Sequence, residues 1–263
     1  MSYETILLDV EENVATVTMN RPEALNAINM QLGEELVDAM IRCRSDANVR
    51  AVVIKGGGRA FCAGGDLKSF SEFLQADPAT AFRAFLSRLH VGIVEVRHME
   101  KPVIAQVHGV AAGAGMSLAL ACDLTIAAES ARFVMAYRRV GLSPDGSSTY
   151  FIPRLVGPKK ALEIFYTSDS IAAPEAERLG LINRVVPEAD LEKETCAFAR
   201  RLAQGPTLAL GRTKELVYRS LSETLETQLE HEREFVALSS TTEDFREGIQ
   251  AFIQKREPKF RGR

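Results

Sequence analysis

Apolar positions along this chain fall into short strand-like runs and longer stretches with helical spacing. Residues 4–10 and 14–19 look like two strands with Glu11-Glu12-Asn13 as the turn between them, which predicts an opening hairpin. Residues 20–28 are irregular and held by Pro22. Residues 29–44 predict an amphipathic helix with Leu32, Leu36 and Met40 on one face. Residues 49–55 predict a buried strand. Residues 79–96 predict a second long helix whose apolar stripe is Phe82, Phe85, Leu86, Leu89, Ile93 and Val96, with His90 set beside Leu86 and Ile93. The apolar run 102–107 passes through glycine and alanine into Met116-Ser-Leu-Ala-Leu-Ala121, which reads as strand, tight turn and helix. From about residue 201 the pattern is helical: 206–217, 221–236 and 244–253, the middle helix carrying Leu221, Leu225, Leu229, Phe235 and Val236 on one face.

A chain of 263 residues that is 46% hydrophobic and 25% charged can bury one substantial core, with room for an appendage. No window is apolar and long enough to span a bilayer, and the first residues lack a basic segment followed by an apolar one, so no membrane role is expected and the chain is read as cytoplasmic. The formal charge of −3 gives no basic face for nucleic acid. Cys43, Cys62, Cys122 and Cys196 are scattered without metal-ligand or disulfide spacing, so buried reduced thiols are expected and no metal site is.

Two glycine-rich turns carry the candidate chemistry. In residues 108–123, glycines at 109, 113 and 115 permit close backbone approach, so a ligand could meet main-chain amides near Ala114 at a helix N-terminus. Residues 56–66 form a second such turn. A pair of amide donors from different loops suits a developing oxyanion; small residues packing a buried helix explain the first turn equally well.

Phe61-Cys-Ala-Gly-Gly-Asp-Leu67 together with the run Gly109 to Asp123 resembles the paired oxyanion loops of the enoyl-CoA hydratase/isomerase (crotonase) superfamily. Lys101-Pro-Val103, Ala131-Arg-Phe133, Gly141-Leu-Ser-Pro144, Pro153-Arg-Leu-Val-Gly157, residues 176–187 and Lys255-Arg-Glu-Pro-Lys-Phe260 follow in family order, nearly the whole chain. The resemblance implies an α/β crotonase (ClpP/crotonase-like) spiral of strand-strand-helix turns over residues 1–200. It also implies a C-terminal helical oligomerisation region over 201–263 that builds homotrimers or hexamers.

The same resemblance implies an acyl-CoA thioester substrate, whose coenzyme A is part of the substrate and not a separate cofactor. The amides of Gly65 and Ala114 would hold the thioester oxygen as it becomes an enolate; Ala114 stands where glycine is common, which keeps the amide and narrows the approach. Ala63 and Leu67 match the adenine-contacting segment, Leu25 the loop lining the coenzyme A channel, and Phe260 the residue that covers adenine from a neighbouring subunit. Ser117 and Tyr137 occupy the positions of the two hydratase glutamates, so hydration of a 2-enoyl-CoA is disfavoured. Asp145 falls where double-bond and ring isomerases carry their aspartate, with the closest pattern in the phenylacetate-pathway type. On the residues alone, Pro144-Asp145-Gly146 is a turn and Asp145 a helix N-cap. His90 beside an aspartate also resembles the 4-chlorobenzoyl-CoA dehalogenases, although this chain has no tryptophan. A hydratase, and a non-catalytic acyl-CoA- or RNA-binding member of the fold, complete the alternatives.

Overall fold

The computed structural model describes residues 3–75 and 77–263. Strands β1 (Ile6–Glu11) and β2 (Val14–Met19) form the expected hairpin. Its two-residue loop puts Glu12 and Asn13 at φ 48° and 66°, the conformation whose twist matches the flanking strands. Helix α1 (Met30–Ser45) starts where the Asn29 side chain accepts from the Leu32 amide, and buries Leu32, Leu36, Met40 and Cys43 at helical spacing. Strand β3 (Ala51–Gly56) follows, then the single turn α2 (Leu67–Phe70), then α3 (Pro78–His98), capped by Asp77.

The stripe of α3 is centred on Phe85, Leu89, Ile93 and Val96. His90, expected beside Leu86 and Ile93 on that face, is instead exposed. It follows half-buried Leu86 along the edge of the stripe, one turn further out.

A second expectation is corrected at the centre of the chain. Between β4 (Val103–Val107) and α4 (Ala114–Ala121) lies not one tight turn but a three-residue strand, β5 (Val110–Ala112). Gly109 and Gly113, at φ 58° and 49°, bend the backbone at either end of it. All eight residues of α4 are buried, so this short helix runs through the core.

The chain continues through β6 (Leu124–Ala128), β7 (Arg132–Val134), α5 (Ser148–Val156), α6 (Pro158–Thr167), β8 (Ile171–Ala172), α7 (Ala173–Arg178), β9 (Arg184–Val186) and α8 (Leu191–Ala203). Six strands form one sheet in the order β1-β2-β3-β4-β6-β9, parallel except for the opening hairpin. The second sheet, β5-β7-β8, stands at the ends of β4 and β6, and its β5–β7 pair is parallel. Cys43, Cys62 and Cys122 are buried free thiols; burial pushes Cys62 up to about 12 and keeps it protonated.

Helices α9 (Thr207–Arg219), α10 (Leu225–Ser240) and α11 (Glu243–Gln254) close the chain. Helix α10 buries none of its residues, and Leu225, Leu229 and Val236 are exposed along it. The final residues are pinned: the buried Asp244 carboxylate accepts from the amides of Arg261 at 2.6 Å and Gly262 at 2.8 Å. Among the described residues, no helix is long and apolar enough to cross a membrane.

Asn26 shows how the irregular stretch before α1 is fixed. Fully buried, it accepts from the Arg21 amide and donates to the carbonyls of Gly57 and Ala60, tying two loops that flank the sheet. Asn26→Ala leaves three main-chain groups without their partner and is expected to cost about 3 kcal/mol of unfolding free energy. Urea denaturation of both proteins measures this.

Candidate active site

Two backbone segments and one turn converge beside α3. Segment Cys62–Asp66 follows β3. It is held by a parallel bridge in which the Ile28 amide donates to the Gly64 carbonyl and the Asp66 amide donates to the Ile28 carbonyl. Bonding on that side by residues 64 and 66 turns the Gly65 amide the other way. Across from it, α4 begins at Ala114, whose amide belongs to the first turn and has no carbonyl four residues back to bond. Among the described residues, neither the Gly65 nor the Ala114 amide has a hydrogen-bond acceptor.

The two segments touch through glycine. A Cβ on Gly64 would stand 2.8 Å from the Ala112 carbonyl oxygen and 3.6 Å from the Ala114 nitrogen, and one on Gly115 would overlap the Cys62 carbonyl. Side chains at these positions would push the amides apart.

The turn before α5 supplies the acid. Asp145 does not cap α5: the N-cap is Ser147, and the Asp145 carboxylate instead lies in a cavity of about 210 Å³. The Tyr137 hydroxyl donates to its Oδ1 at 2.6 Å. Fully buried Ser117, on the first turn of α4, reaches the Gly113 carbonyl, the Asp145 carbonyl and the Tyr137 hydroxyl at 3.1, 3.1 and 3.2 Å. Ser117 thus ties the helix that begins at Ala114 to the turn that carries Asp145. Burial raises the Asp145 carboxyl above the usual carboxylate range; the Tyr137 hydroxyl and charge on His90 act in the opposite direction and do not cancel it. Burial, with Asp145 alongside, also raises the Tyr137 phenol and keeps it protonated as a donor.

The cavity gathers most of the residues expected from the sequence: Ala63, Gly65, Leu67, Ala114, Tyr137 and Asp145 all line it. Leu25, His90 and Phe260 do not. Leu25 sits in a left-handed turn leading to Ile28, and its carbonyl accepts from the Ala63 amide. Phe260 packs over Gly248 of α11 and lines a separate apolar cavity with Pro206, Leu208 and Ile249.

The rest of the cavity wall is apolar apart from Arg139, which donates to the Ser168 carbonyl at 2.7 Å. Phe70 meets Phe82 and Phe85 edge-on, at 5.1 Å between ring centres in both cases, and Leu89, Val140 and Leu142 extend the surface. Phe82, Phe85 and Leu89 are legible as a helical stripe, but that stripe says only that they are covered, not that they face a ligand-sized space. Phe70 and Val140 carried no sequence signal, and Leu142 appeared only within the Gly141-Leu-Ser-Pro144 run.

The profile of the enoyl-CoA hydratase/isomerase family matches residues 9–263. The chain belongs to this family. A protein of Rhodobacter capsulatus named "Probable enoyl-CoA hydratase" is 42% identical over the whole of both chains. The 1,2-epoxyphenylacetyl-CoA isomerase of Escherichia coli K12 is 38% identical over 99% of each. A crystal structure of an enoyl-CoA hydratase from Polaromonas sp. JS666 superposes with a TM-score of 0.93 at 36% identity, covering 97% of this chain and 99% of that one. The spiral of strands and helices described above is therefore the crotonase fold, and the protein is an acyl-CoA enzyme of that superfamily. Relatives named for hydration and for isomerisation lie at similar distances, so family membership leaves the reaction to be argued from the site.

The Tyr137 bond gives a direct test of the electrostatics. The phenol favours the charged carboxylate, so Tyr137→Phe removes a stabilising donor and the Asp145 carboxyl should titrate at still higher pH than in the unaltered enzyme. Carbon-13 NMR of aspartate-labelled protein follows both titrations, with Asp145→Asn assigning the signal. A downward movement in Tyr137→Phe would mean that the phenol does not act as the donor.

Proposed function

We propose that this enzyme is a double-bond isomerase that converts 3-enoyl-CoA thioesters, or their ring counterparts, to the 2-enoyl form. The observation that carries the reading is that Asp145 is the one carboxylate among the described residues lining a cavity that also holds two free amides. Hydration by the two-glutamate route needs a second acid, and here Ser117 and Tyr137 stand at those positions, the first buried and the second held protonated.

In this mechanism the thioester oxygen sits between the Gly65 and Ala114 amides. Asp145 takes a proton from the α-carbon, and the electron pair moves onto the thioester oxygen as an enolate stabilised by both donors. The same carboxyl group then returns the proton to the γ-carbon as the double bond shifts. Water is neither added nor lost, and no cofactor is required beyond the coenzyme A of the substrate. A raised Asp145 helps here, because one group must act as base and then as acid, and both steps are efficient only when its affinity for a proton is not too low. The apolar wall of Phe70, Phe82 and Phe85 excludes the water that would otherwise trap the enolate.

The dehalogenase reading draws less support, because His90 is exposed and does not line the cavity. For the rest of the substrate, Ala63, Leu67 and Leu25 form the loop side along which coenzyme A would lie. The uncovered Leu225, Leu229 and Val236 of α10 suit a self-associating trimer or hexamer in which Phe260 reaches a neighbour's nucleotide.

Purified enzyme given trans-3-hexenoyl-CoA should form trans-2-hexenoyl-CoA with no gain of mass. Asp145→Asn should lower kcat by about 10²- to 10⁴-fold. Ala114→Pro removes one amide at the first helical position, where proline is tolerated, and should lower kcat by about 10²- to 10³-fold with the fold intact. Formation of 3-hydroxyhexanoyl-CoA, undiminished in Asp145→Asn, would replace the isomerase with a hydratase. Light scattering of the eluting protein should give three or six times the 28.9 kDa of one chain.

A further inference from the structure

A second concave surface lies on the opposite side of the turn that carries Asp145. It is a groove of about 830 Å³ between α3, α5 and α9, and it shares no lining residue with the active-site cavity. Its walls include Ile93, Arg97 and His98 from α3, Ser147, Tyr150 and Phe151 from the start of α5, and Lys214, Tyr218 and Arg219 from α9.

Charge in this groove is unevenly satisfied. Lys214, almost fully buried, is paired with Asp123 at 2.8 Å and also donates to the carbonyls of Val96 and Lys101. Arg44 is paired with Glu95 at 3.1 Å, and Arg219 with Glu215. Tyr218 donates to the other oxygen of Asp123 at 2.9 Å, which leaves that carboxylate fully engaged. Arg97 is different. Among the described residues it forms no ion pair, and exposed Glu100 on the rim does not reach it.

The Arg97 guanidinium is nevertheless held in place. It lies over the Phe151 ring at 4.7 Å from the ring centre and against Tyr218. Contact with the Phe151 face restrains the guanidinium, and Asp123 attracts it without forming an ion pair, so N–H donors remain for a planar or tetrahedral oxyanion. A half-buried arginine with no ion-pair partner among the described residues, set against aromatic rings at a groove wall, is completed by an anion.

We propose that this groove is a binding site for a small oxyanion, a carboxylate or a phosphate, received by Arg97 between α3, α5 and α9. The chemistry is shared by the two anion classes, and titration with each separates them. Ser147 lines the groove two residues after Asp145 lines the cavity, so the site is next to the active centre without being part of it.

Isothermal titration of the full-length enzyme with inorganic phosphate, and separately with succinate, tests the site. Saturable binding of either one is expected, weakened at least about tenfold in Arg97→Gln and unchanged in Lys160→Gln, which alters an exposed lysine paired with Glu163. Binding of phosphate alone identifies a phosphate site, and binding of succinate alone a carboxylate site. Absence of saturable binding for both anions, or equal binding by Arg97→Gln, overturns the proposal. If Arg97→Gln does not fold, Arg97→Lys keeps the charge and removes the paired N–H geometry, and it should bind the anion more weakly; unchanged affinity there overturns the proposal as well.

Discussion

The candidate site depends on how closely two stretches of backbone approach. Gly64 meets the Ala112 carbonyl and the Ala114 nitrogen, and Gly115 meets the Cys62 carbonyl, at separations that a β-carbon would break. Because the contact is main chain against main chain, amides from two distant parts of the sequence can face one space. Each is freed by local hydrogen bonding: Gly65 by the register of its bridge to Ile28, Ala114 by its place at the start of a helix. The surrounding core keeps that contact rigid. Helix α4 is buried on every side, and its Met116, like Phe61 and Phe133, is among the largest fully buried side chains.

The acid is positioned by a different kind of interaction. Asp145 stands on a turn, where a side chain is ordinarily free to reorient, yet Tyr137 and Ser117 fix both its carboxylate and its carbonyl. Those two residues are neutral and serve as a hydrogen-bonded frame around a single carboxylate. Among the described residues no second carboxylate lines the cavity, so like-charge repulsion does not act on Asp145 there. The proton affinity of Asp145 is then set mainly by desolvation, against the Tyr137 donor and the charge of His90.

The groove around Arg97 shows a related economy. Asp123 joins β4, through the Val103 amide at 2.8 Å, to Lys214 and Tyr218 of α9, so one carboxylate anchors the C-terminal helices to the sheet. With that acid fully used, the arginine beside it is left with aromatic faces and an open edge. Structural anchoring and the proposed anion site therefore share neighbours while depending on different atoms.

The sequence by itself determined the family, through motifs that resemble it in order along the chain, and the opening hairpin, the two long helices and the helical C-terminal part, because these rest on local periodicity or on turn chemistry that only certain residues permit. Glycine-rich loops drew attention to the amides near Ala114, while the family resemblance singled out Gly65 and Asp145, since the Pro-Asp-Gly turn by itself reads as a helix cap. Tertiary structure decided the rest. Strand β5 was hidden because three residues carry too little pattern to show pairing with a partner some twenty positions away. His90 left the apolar stripe because the edge of a helix face is set by what packs against it. Whether Asp145 capped a helix or faced a cavity, and which of Phe70, Phe82 and Phe85 bordered that cavity, followed from contacts between segments far apart in the chain. Such contacts leave no periodic trace, because they are fixed only when the pieces pack.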